Sequence, residues 1–296
     1  KDVSQTQAGL VLDHRLDADA ELMARAYAGQ RDLYNRLSIP LFAQTAPTAS
    51  GGIVDLDRDY QGVGLRYSRR VPAGQGQVRW SVGLDHERMN EWRRGYINNA
   101  GVQGELKRDE DDSVHSTGLY TQADWAINED WSAVAGLRAN RVTFRVDDAF
   151  ITPTNPDDSG SASFSATNPV LGITRHLSEH TNLYANVGRG FETPTFTEIA
   201  YTANGSGPNL DLRAARSTHV ELGLKTQLAA GHRLDAALFH IGTTDEIVVA
   251  SSSGGRTVYT NAGKTRRSGL ELTHSAQWTP EWRTHVALAT LDARFD

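Results

Sequence analysis

The chain has 296 residues, enough for one large β domain or two ordinary domains. Its formal net charge of −6 argues against a nucleic-acid partner, and the absence of cysteine excludes disulfides and thiolate chemistry. Only 39% of the residues are hydrophobic, and no run approaches the roughly 18 apolar residues of a transmembrane helix. The composition does not exclude a transmembrane β-barrel, because the strands of such a barrel need apolar residues only at every second position.

Apolar and polar residues alternate with a period of two along most of the chain, which is typical of β-strands. In residues 78–85, for example, every even position is apolar and every odd position is polar or glycine. Each strand therefore has one apolar face and one charged or glycine-rich face. The alternation predicts about twelve strands, near residues 4–15, 19–30, 58–70, 76–89, 113–127, 131–146, 162–177, 181–191, 216–228, 232–249, 256–277 and 282–295.

The predicted connections alternate between short and long. Short turns are expected near Asp17 and at residues 71–75, 128–130, 178–180, 229–231 and 278–281. Long, polar connections are expected at residues 31–57, 90–112, 147–161 and 192–215, with a shorter one at 250–256. This sorting predicts an all-β fold, an antiparallel up-and-down transmembrane β-barrel with short turns on one side of the membrane and long loops on the other. A soluble β-propeller has a similar repeat length but needs four short strands per repeat.

Tryptophan placement gives an independent indication. Trp80, Trp125, Trp131, Trp278 and Trp282 all lie beside short turns. Local packing at strand ends is one explanation. The alternative is an aromatic girdle at one membrane interface, where amphipathic rings prefer to lie.

Three segments carry a family resemblance. Residues 188–200 (GRGFETPTFTEIA) and 259–272 (YTNAGKTRRSGLEL) resemble stretches of TonB-dependent outer-membrane receptors, and DEIVV at 245–249 lies between them as it does in that family. Segments 46–65 and 106–114 most resemble a siderophore-receptor subfamily, for some of whose members uptake of pyrroloquinoline quinone is implied. The family fold is a 22-stranded barrel with a plugged lumen. The resemblance therefore implies that residues 1–296 are a partial β-barrel domain, without the plug and the C-terminal strands.

The resemblance also implies a function. A receptor of this kind lies in the bacterial outer membrane, in contact with the lipid bilayer and lipopolysaccharide. It imports a scarce solute, here a ferric siderophore in the first place, and is energised by a TonB-type coupling protein that acts through the plug. A receptor of the same fold for pyrroloquinoline quinone or another small organic cofactor, and a passive porin, remain alternatives.

No catalytic pattern accompanies these strands. The ten histidines are dispersed, and His176 and His180 bracket a tight turn rather than share a helix face. We therefore expect no enzymatic activity, no metal site and no cofactor. The acidic run Asp109–Asp112 is expected to be a solvated cluster in a long loop rather than a calcium site. Arg266 and Arg267 fit either a solvated strand end or a contact with lipopolysaccharide or a lumen carboxylate.

Ligand capture is expected from aromatic and basic residues on the long loops, because rings stack on planar ligands and guanidinium groups pair with carboxylates. An ordinary loop role is the alternative for each. The candidate binding residues are Trp92, Arg93, Arg94, Tyr96, Tyr201 and Tyr34. The FETPT segment at 191–195 is expected to be structural, with Pro194 fixing the exit of its strand.

A second set of charged residues lies on the polar face of the predicted strands. These side chains are expected to face the lumen, where they would line the solute path or pair with the plug. They are Arg79, Asp85, Asp124, Arg138, Glu221 and Lys225.

Overall fold

The structure, a computed structural model, describes residues 1–203, 207–253 and 256–296. Twelve strands form one antiparallel sheet in which each strand pairs with the next along the chain. They are β1 (Asp2–Arg15), β2 (Ala20–Arg36), β3 (Ile53–Ala73), β4 (Gly76–Asn99), β5 (Val102–Ala126), β6 (Trp131–Asp148), β7 (Gly160–Ser178), β8 (Thr181–Glu192), β9 (Ala215–Ala229), β10 (His232–Thr244), β13 (Lys264–Gln277) and β14 (Arg283–Phe295). A separate hairpin of β11 (Ile247–Ser253) and β12 (Arg256–Asn261) is inserted after β10.

This architecture confirms the predicted all-β, up-and-down fold and its twelve sheet strands. β1 and β14 form the two edges, so the sheet is open. Two short helices, α1 (Leu41–Gln44) and α2 (Phe196–Ile199), lie in connections between strands.

The predicted sorting of connections has one exception. The short turns lie at one end of the sheet, here called the turn end, and most of the longer connections lie at the other, the loop end. However, β4 and β5 meet at the loop end through only Ala100 and Gly101. Both residues have positive φ, 52° and 96°, as in the tight hairpin turns that match the twist of a strand pair. The prediction of a long loop at 90–112 was therefore wrong.

Strands β2 to β5 run further toward the loop end than the alternation predicts. β3 begins at Ile53 rather than near residue 58, and β5 at Val102 rather than near 113. In these extensions both faces of the sheet carry polar residues, so the hydrophobic alternation disappears while the ladder of backbone hydrogen bonds continues. Hydrophobic alternation marks only the part of a strand that has one face buried in lipid or protein. Here the strands continue to pair past the point where that burial ends, so the sequence pattern places their ends too early.

The predicted strands 232–249 and 256–277 were also wrong at their loop ends. The chain leaves the sheet at Asp245, which has a φ of 57° and whose N–H donates to the Gly263 carbonyl at 3.0 Å. Residues 247–249 consequently belong to the inserted hairpin instead of β10. The predicted connection at 250–256 falls within this hairpin, apart from residues 254–255, which lie outside the described residues.

Cross-strand register assigns each residue to a face of the sheet. On the apolar face, Leu84 pairs with Leu65 of β3 and with Leu119 of β5. Leu137 of β6 lies on the same face, two positions from Ala139, the residue that pairs with Leu119. Leu119 is 56% exposed. Repeated on neighbouring strands, such an apolar surface is far larger than a protein leaves in water, and it is what a lipid-facing barrel wall requires. Trp80 and Trp125 lie on this face near the turn end.

The buried apolar core of the described residues lies on the opposite, polar face at the loop end. Phe144, Ile199 and Leu212 form its centre and are 4%, 1% and 5% exposed. The Phe196 ring packs edge-on against Phe144, with centroids 5.2 Å apart. The connection between β8 and β9 thus folds back onto the polar face of the sheet.

Candidate functional site

The predicted ligand residues 92–96 lie on strand β4, not on a loop. Successive strand residues point to opposite faces. Trp92 and Arg94 share the face of Asp57 and Asp55, while Arg93 shares the polar face with Glu110. The cluster expected from the sequence is therefore divided between two sides of the sheet.

On the outer side, Trp92 and Arg94 are engaged with neighbours. The Trp92 indole N–H donates to Asp109 Oδ1 at 2.7 Å, and the Arg94 guanidinium lies 3.8 Å from the centre of the Trp92 ring. Arg94 also pairs with Asp55 and Asp57 at 3.2 and 2.9 Å. These contacts place the two residues on the wall of the sheet, away from its polar face.

Tyr34 and Tyr96 also differ from the expected loop positions. Tyr34 lies on β2 and shares the face of Asp55, and its hydroxyl donates to Gln103 Oε1 at 2.9 Å. Tyr96 lies on β4 next to an irregularity in the pairing with β5. Its carbonyl accepts a hydrogen bond from Gly52 N–H at 2.8 Å, which ties the preceding loop to the sheet.

A buried group of charges occupies the polar face at the loop end. We call it the mouth cluster, defined as Arg58, Glu91, Arg93, Arg108, Glu110 and Asp112. Arg58 pairs with Glu91, and Arg108 pairs with Glu110 at 2.6 Å. Glu91, Arg108, Glu110 and Asp112 are each at most 8% exposed. Within the described part of the chain, Arg93 forms no ion pair and is half-buried.

The mouth cluster corrects the interpretation of the acidic run Asp109–Asp112. These residues are part of β5 and not of a solvated loop, and strand alternation turns Glu110 and Asp112 toward the polar face. Both carboxylate oxygens of Asp112 are buried and accept no hydrogen bond from the described residues. Such an orphaned carboxylate is costly unless it is protonated or paired.

Burial and charge shift the ionisation of this cluster, which lies beyond the apolar belt. Burial, reinforced by the adjacent Glu110, raises the pKa of Asp112 to about 7. Burial lowers the pKa of Arg93, and the neighbouring Arg108 cation acts in the same direction. Burial also acts against the charge on Arg108, but the Glu110 carboxylate outweighs it and raises the pKa of Arg108. The site therefore holds permanent guanidinium charge beside a carboxyl group that titrates near neutrality.

Tyr201 joins this cluster from the connection between β8 and β9. The guanidinium carbons of Arg256 and Arg108 lie 4.6 and 5.7 Å from the centre of its ring. Its hydroxyl is 2.9 Å from Ser50 Oγ. Arg256, at the start of β12, also donates to Thr48 Oγ1 at 3.0 Å. We call this arrangement of Tyr201, Arg108 and Arg256 the arginine clamp.

The loop before β3 reaches the clamp because Gly95 leaves room for it. A Cβ atom at Gly95 would lie 2.2 Å from the Ser50 carbonyl oxygen, so any other residue would displace this loop. Gln44, 2% exposed, anchors the same loop, since its Oε1 accepts from Asn98 N–H at 2.7 Å and its Nε2 donates to Ile39 O at 2.6 Å.

The FETPT segment has a local structural role. Thr195 and Glu198 form a capping box at the start of α2, which satisfies backbone N–H groups that the helix leaves unpaired. Pro194 is fully buried. These contacts, with Phe196 on Phe144, hold the chain that leads to Tyr201.

The six residues expected to face the lumen all lie on the polar face. Asp85 bridges Arg25 and Arg138 at 3.0 and 3.1 Å. The Tyr184 hydroxyl donates to Glu221 at 2.7 Å, and the Lys225 ammonium lies 5.2 Å from the centre of the Tyr184 ring. A cavity of about 740 Å³ at the turn end is lined by four of the six, namely Arg79, Asp124, Glu221 and Lys225.

The remaining polar candidates are held in local contacts. Arg267 pairs with Glu246, and Arg266 with Asp296. His176 Nδ1 lies 2.6 Å from Asn182 Oδ1. Residues 1–203, 207–253 and 256–296 contain no group of three or more His, Cys, Asp or Glu side chains that could hold a metal ion. Over the same ranges, no helix has the length and apolar character to cross a membrane.

Sequence reasoning missed several members of the site, namely Arg58, Glu91, Arg108, Glu110, Asp112 and Arg256. A signal for three of them existed. The alternation of β5, clear from residue 113 onward, assigns even positions to the polar face, and extending that phase backward includes positions 108, 110 and 112. Arg256 carries no such signal, because only the fold brings it to Thr48, 208 positions away.

Comparison with known proteins agrees with this architecture. The family model described as "TonB dependent receptor-like, beta-barrel" matches residues 1–296. The metal-pseudopaline receptor CntO of Pseudomonas aeruginosa is 26% identical over 186 residues, covering 62% of this chain and 25% of that protein. The vitamin B12 transporter BtuB of Photobacterium profundum is 22% identical over 216 residues, covering 71% of this chain and 30% of that protein.

Solved structures show the same fold. The ferric citrate transporter FecA in its unliganded form superposes with a TM-score of 0.77 at 17% identity, over 99% of this chain and 43% of that chain. The siderophore receptor PiuA from Acinetobacter baumannii gives a TM-score of 0.77 at 17% identity, over 99% of this chain and 47% of that chain.

The chain thus spans less than half the length of the proteins to which it is similar. Members of the matching family are bacterial outer-membrane transport receptors and not enzymes. With a family match over its whole length, the chain belongs to the TonB-dependent receptor-like β-barrel family.

Proposed function

We propose that this chain is the barrel portion of an outer-membrane receptor that actively imports a metal chelate, in the first place a ferric siderophore. The observation that carries the proposal is the mouth cluster with its arginine clamp. Arg93 and Arg108 lie on the polar face of the sheet, and Arg256 of the inserted hairpin contacts the same Tyr201 ring as Arg108. Guanidinium groups and an aromatic ring suit the anionic or planar donors of a metal chelator. CntO, a relative, is named for a metal-bound ligand.

The rest of the polar face would carry the solute onward or hold a plug. Arg79, Asp85, Asp124, Arg138, Glu221 and Lys225 supply charges of both signs along it. Asp85 is already balanced by two arginines, whereas Arg79 and Asp124 face each other across β4 and β5 and line the turn-end cavity. Energy would come from a TonB-type protein that acts on such a plug, and the apolar face would contact lipid and lipopolysaccharide.

Uptake of radioactive iron tests the proposal. A strain that lacks the full-length receptor is complemented with the native gene or with Arg93→Ala and supplied with a panel of ferric siderophores. We expect uptake of one chelate, lost on adding a protonophore and reduced at least tenfold by Arg93→Ala. Arg145→Ala, on the opposite face, is the matched control. Uptake that persists without the proton gradient would indicate a passive porin, and no uptake of any metal chelate would overturn the proposal.

A further inference from the structure

Tyrosines on the polar face of the sheet lie over glycines of the neighbouring strands. Four such pairs are directly opposite each other in the strand ladder, namely Tyr27 and Gly62, Tyr60 and Gly29, Tyr120 and Gly83, and Tyr184 and Gly223. A Cβ atom at each of these glycines would lie only 2.3–2.6 Å from a ring atom of its tyrosine. Side chains of a strand normally stand roughly perpendicular to the sheet, whereas these rings lie along it.

Hydrogen bonds hold two of these rings against the sheet at their far ends. The Tyr27 ring crosses Gly62 of β3, and its hydroxyl donates at 3.0 Å to Glu87, the β4 residue that pairs with Gly62. The Tyr60 ring crosses its glycine on β2 in the same way, and its hydroxyl donates to Gln7 of β1 at 2.9 Å. Each of these rings therefore reaches across three strands and is fixed at both ends.

The pairs lie in the part of the sheet that carries the apolar belt on its other side. Gly83 lies between Val82 and Leu84 of β4, which point to the lipid-facing side. Gly223 has a leucine on either side in the same arrangement on β9. A solute that is imported along the polar face has to pass this section, where an upright tyrosine would narrow the path. The glycines give each ring the space that it needs to lie flat.

We propose that the tyrosine–glycine pairs set the width of the path along which the solute passes, and that Gly62, Gly83 and Gly223 are specificity-determining residues for import. This inference rests on the proposed import function and concerns passage through the barrel, not capture at the loop end. A methyl group at one of these glycines displaces the ring that covers it. Because strands occupy both sides of each ring, the displaced ring moves into the path.

Alanine at these positions changes the ring and little else. The backbone of Gly62, Gly83 and Gly223 does not have the positive φ that disfavours other residues, so alanine fits it without strain. The nearest atoms that each new Cβ would meet belong to the tip of the paired tyrosine, which can rotate away. Gly188, on the same polar face of β8, is the matched control, because a Cβ there would meet no atom of the described residues closer than 3.6 Å.

The test separates passage from capture in the full-length receptor. Cells that lack the native receptor produce Gly83→Ala, Gly223→Ala, Gly188→Ala or the double variant Gly83→Ala/Tyr120→Ala, and uptake is expressed per folded receptor, measured as the heat-modifiable band in gel electrophoresis. The probes are radioactive iron(III) complexes of citrate, desferrioxamine B and enterobactin. The dissociation constant is measured on de-energised cells and the maximal uptake rate on energised cells.

The expected result is slower passage with unchanged capture. For the complex that the native receptor imports, overpacking of the path should lower the maximal uptake rate of Gly83→Ala and of Gly223→Ala about tenfold. The dissociation constant should stay the same, and Gly188→Ala should behave like the native receptor. The double variant should recover the native rate, since without the Tyr120 ring the added methyl group displaces nothing.

Three results would overturn the assignment and leave the import function intact. The first is an unchanged uptake rate in both glycine variants. The second is a loss of uptake that the double variant does not recover, which would make the glycine itself the required feature. The third is sensitivity of the glycine variants to vancomycin, which would show that the rings pack against a plug instead of lining the path. Absence of any chelate uptake by the native receptor, in contrast, overturns the proposed function itself.

Discussion

The two faces of strands β4 to β6 at the loop end carry the same kinds of residue in opposite surroundings. On the outer face, Arg145 and Asp147 of β6 form an ion pair whose side chains are 64% and 50% exposed. On the polar face, the corresponding figures for Arg108 and Glu110 of β5 are 9% and 6%. Water screens the first pair, and burial strengthens the second while making each charge costly without the other. The type of residue alone therefore does not indicate which charged side chains contribute strongly to the stability of the loop end.

Removal of one buried charge should give the largest effect. Arg108→Ala leaves Glu110 buried without its partner, beside the already orphaned Asp112, and should destabilise the loop end by about 3–5 kcal/mol. Arg145→Ala on the outer face should cost less than about 1 kcal/mol. Hydrogen exchange of the β4–β5 amides in the full-length receptor measures both. Similar small losses for the two variants would show that the faces do not differ in this way.

Truncation of the buried aromatic core should rank next. Phe144→Ala removes the ring against which Phe196 packs, and should cost about 3 kcal/mol. Because α2 and the chain to Leu212 depend on this core, exchange should accelerate in residues 196–203 and 207–212. Phe191→Ala is the control, since Phe191 lies on the opposite face under Arg216. Unchanged protection of this segment would contradict the packing described here.

Titration of Asp112 should make the stability of the loop end depend on pH. Its pKa is raised to about 7 in the folded protein, while an unfolded aspartate titrates near pH 4. The native state therefore binds more protons between these values, and the contribution of Asp112 to stability is greatest below about pH 4 and falls as pH rises toward 7. The slope approaches about 1.4 kcal/mol per pH unit for one proton.

Neutralisation isolates this contribution. Asp112→Asn should flatten the pH dependence of exchange in β5 between about pH 4 and pH 7, after correction for intrinsic exchange rates. Asp111→Asn, one position away on the outer face, should leave the dependence as it is. An identical pH profile for native and Asp112→Asn protein would refute the assignment of this proton.

Loss of a helix cap should have the smallest effect. Thr195→Ala removes the side-chain acceptor of the capping box at α2, which typically costs about 1 kcal/mol. The expected result is faster exchange at Glu198 and nearby amides, restored by Thr195→Ser. If exchange changed only at residues on the outer face of the sheet, the cap would not support the segment that carries Tyr201.

Residue order was enough to predict the all-β fold, the order of the twelve strands and the face of each residue within the apolar belt. This was possible because lipid on one side and polar surroundings on the other impose a period of two. The same alternation identified Arg79, Asp85 and Glu221 as members of the polar face. Residues 188–200 and 259–272 carried the family resemblance. The family model, which matches residues 1–296, confirms it.

The arrangement of the site, in contrast, follows from long-range packing. Beyond the apolar belt both faces are polar, so the sequence contains no signal that β4 and β5 continue to a two-residue turn or that Trp92 and Arg93 point in opposite directions. The meeting of Arg108, Tyr201 and Arg256 depends on loops that fold back onto the sheet. Such contacts arise from close packing between distant segments, and residue spacing along the chain does not encode them.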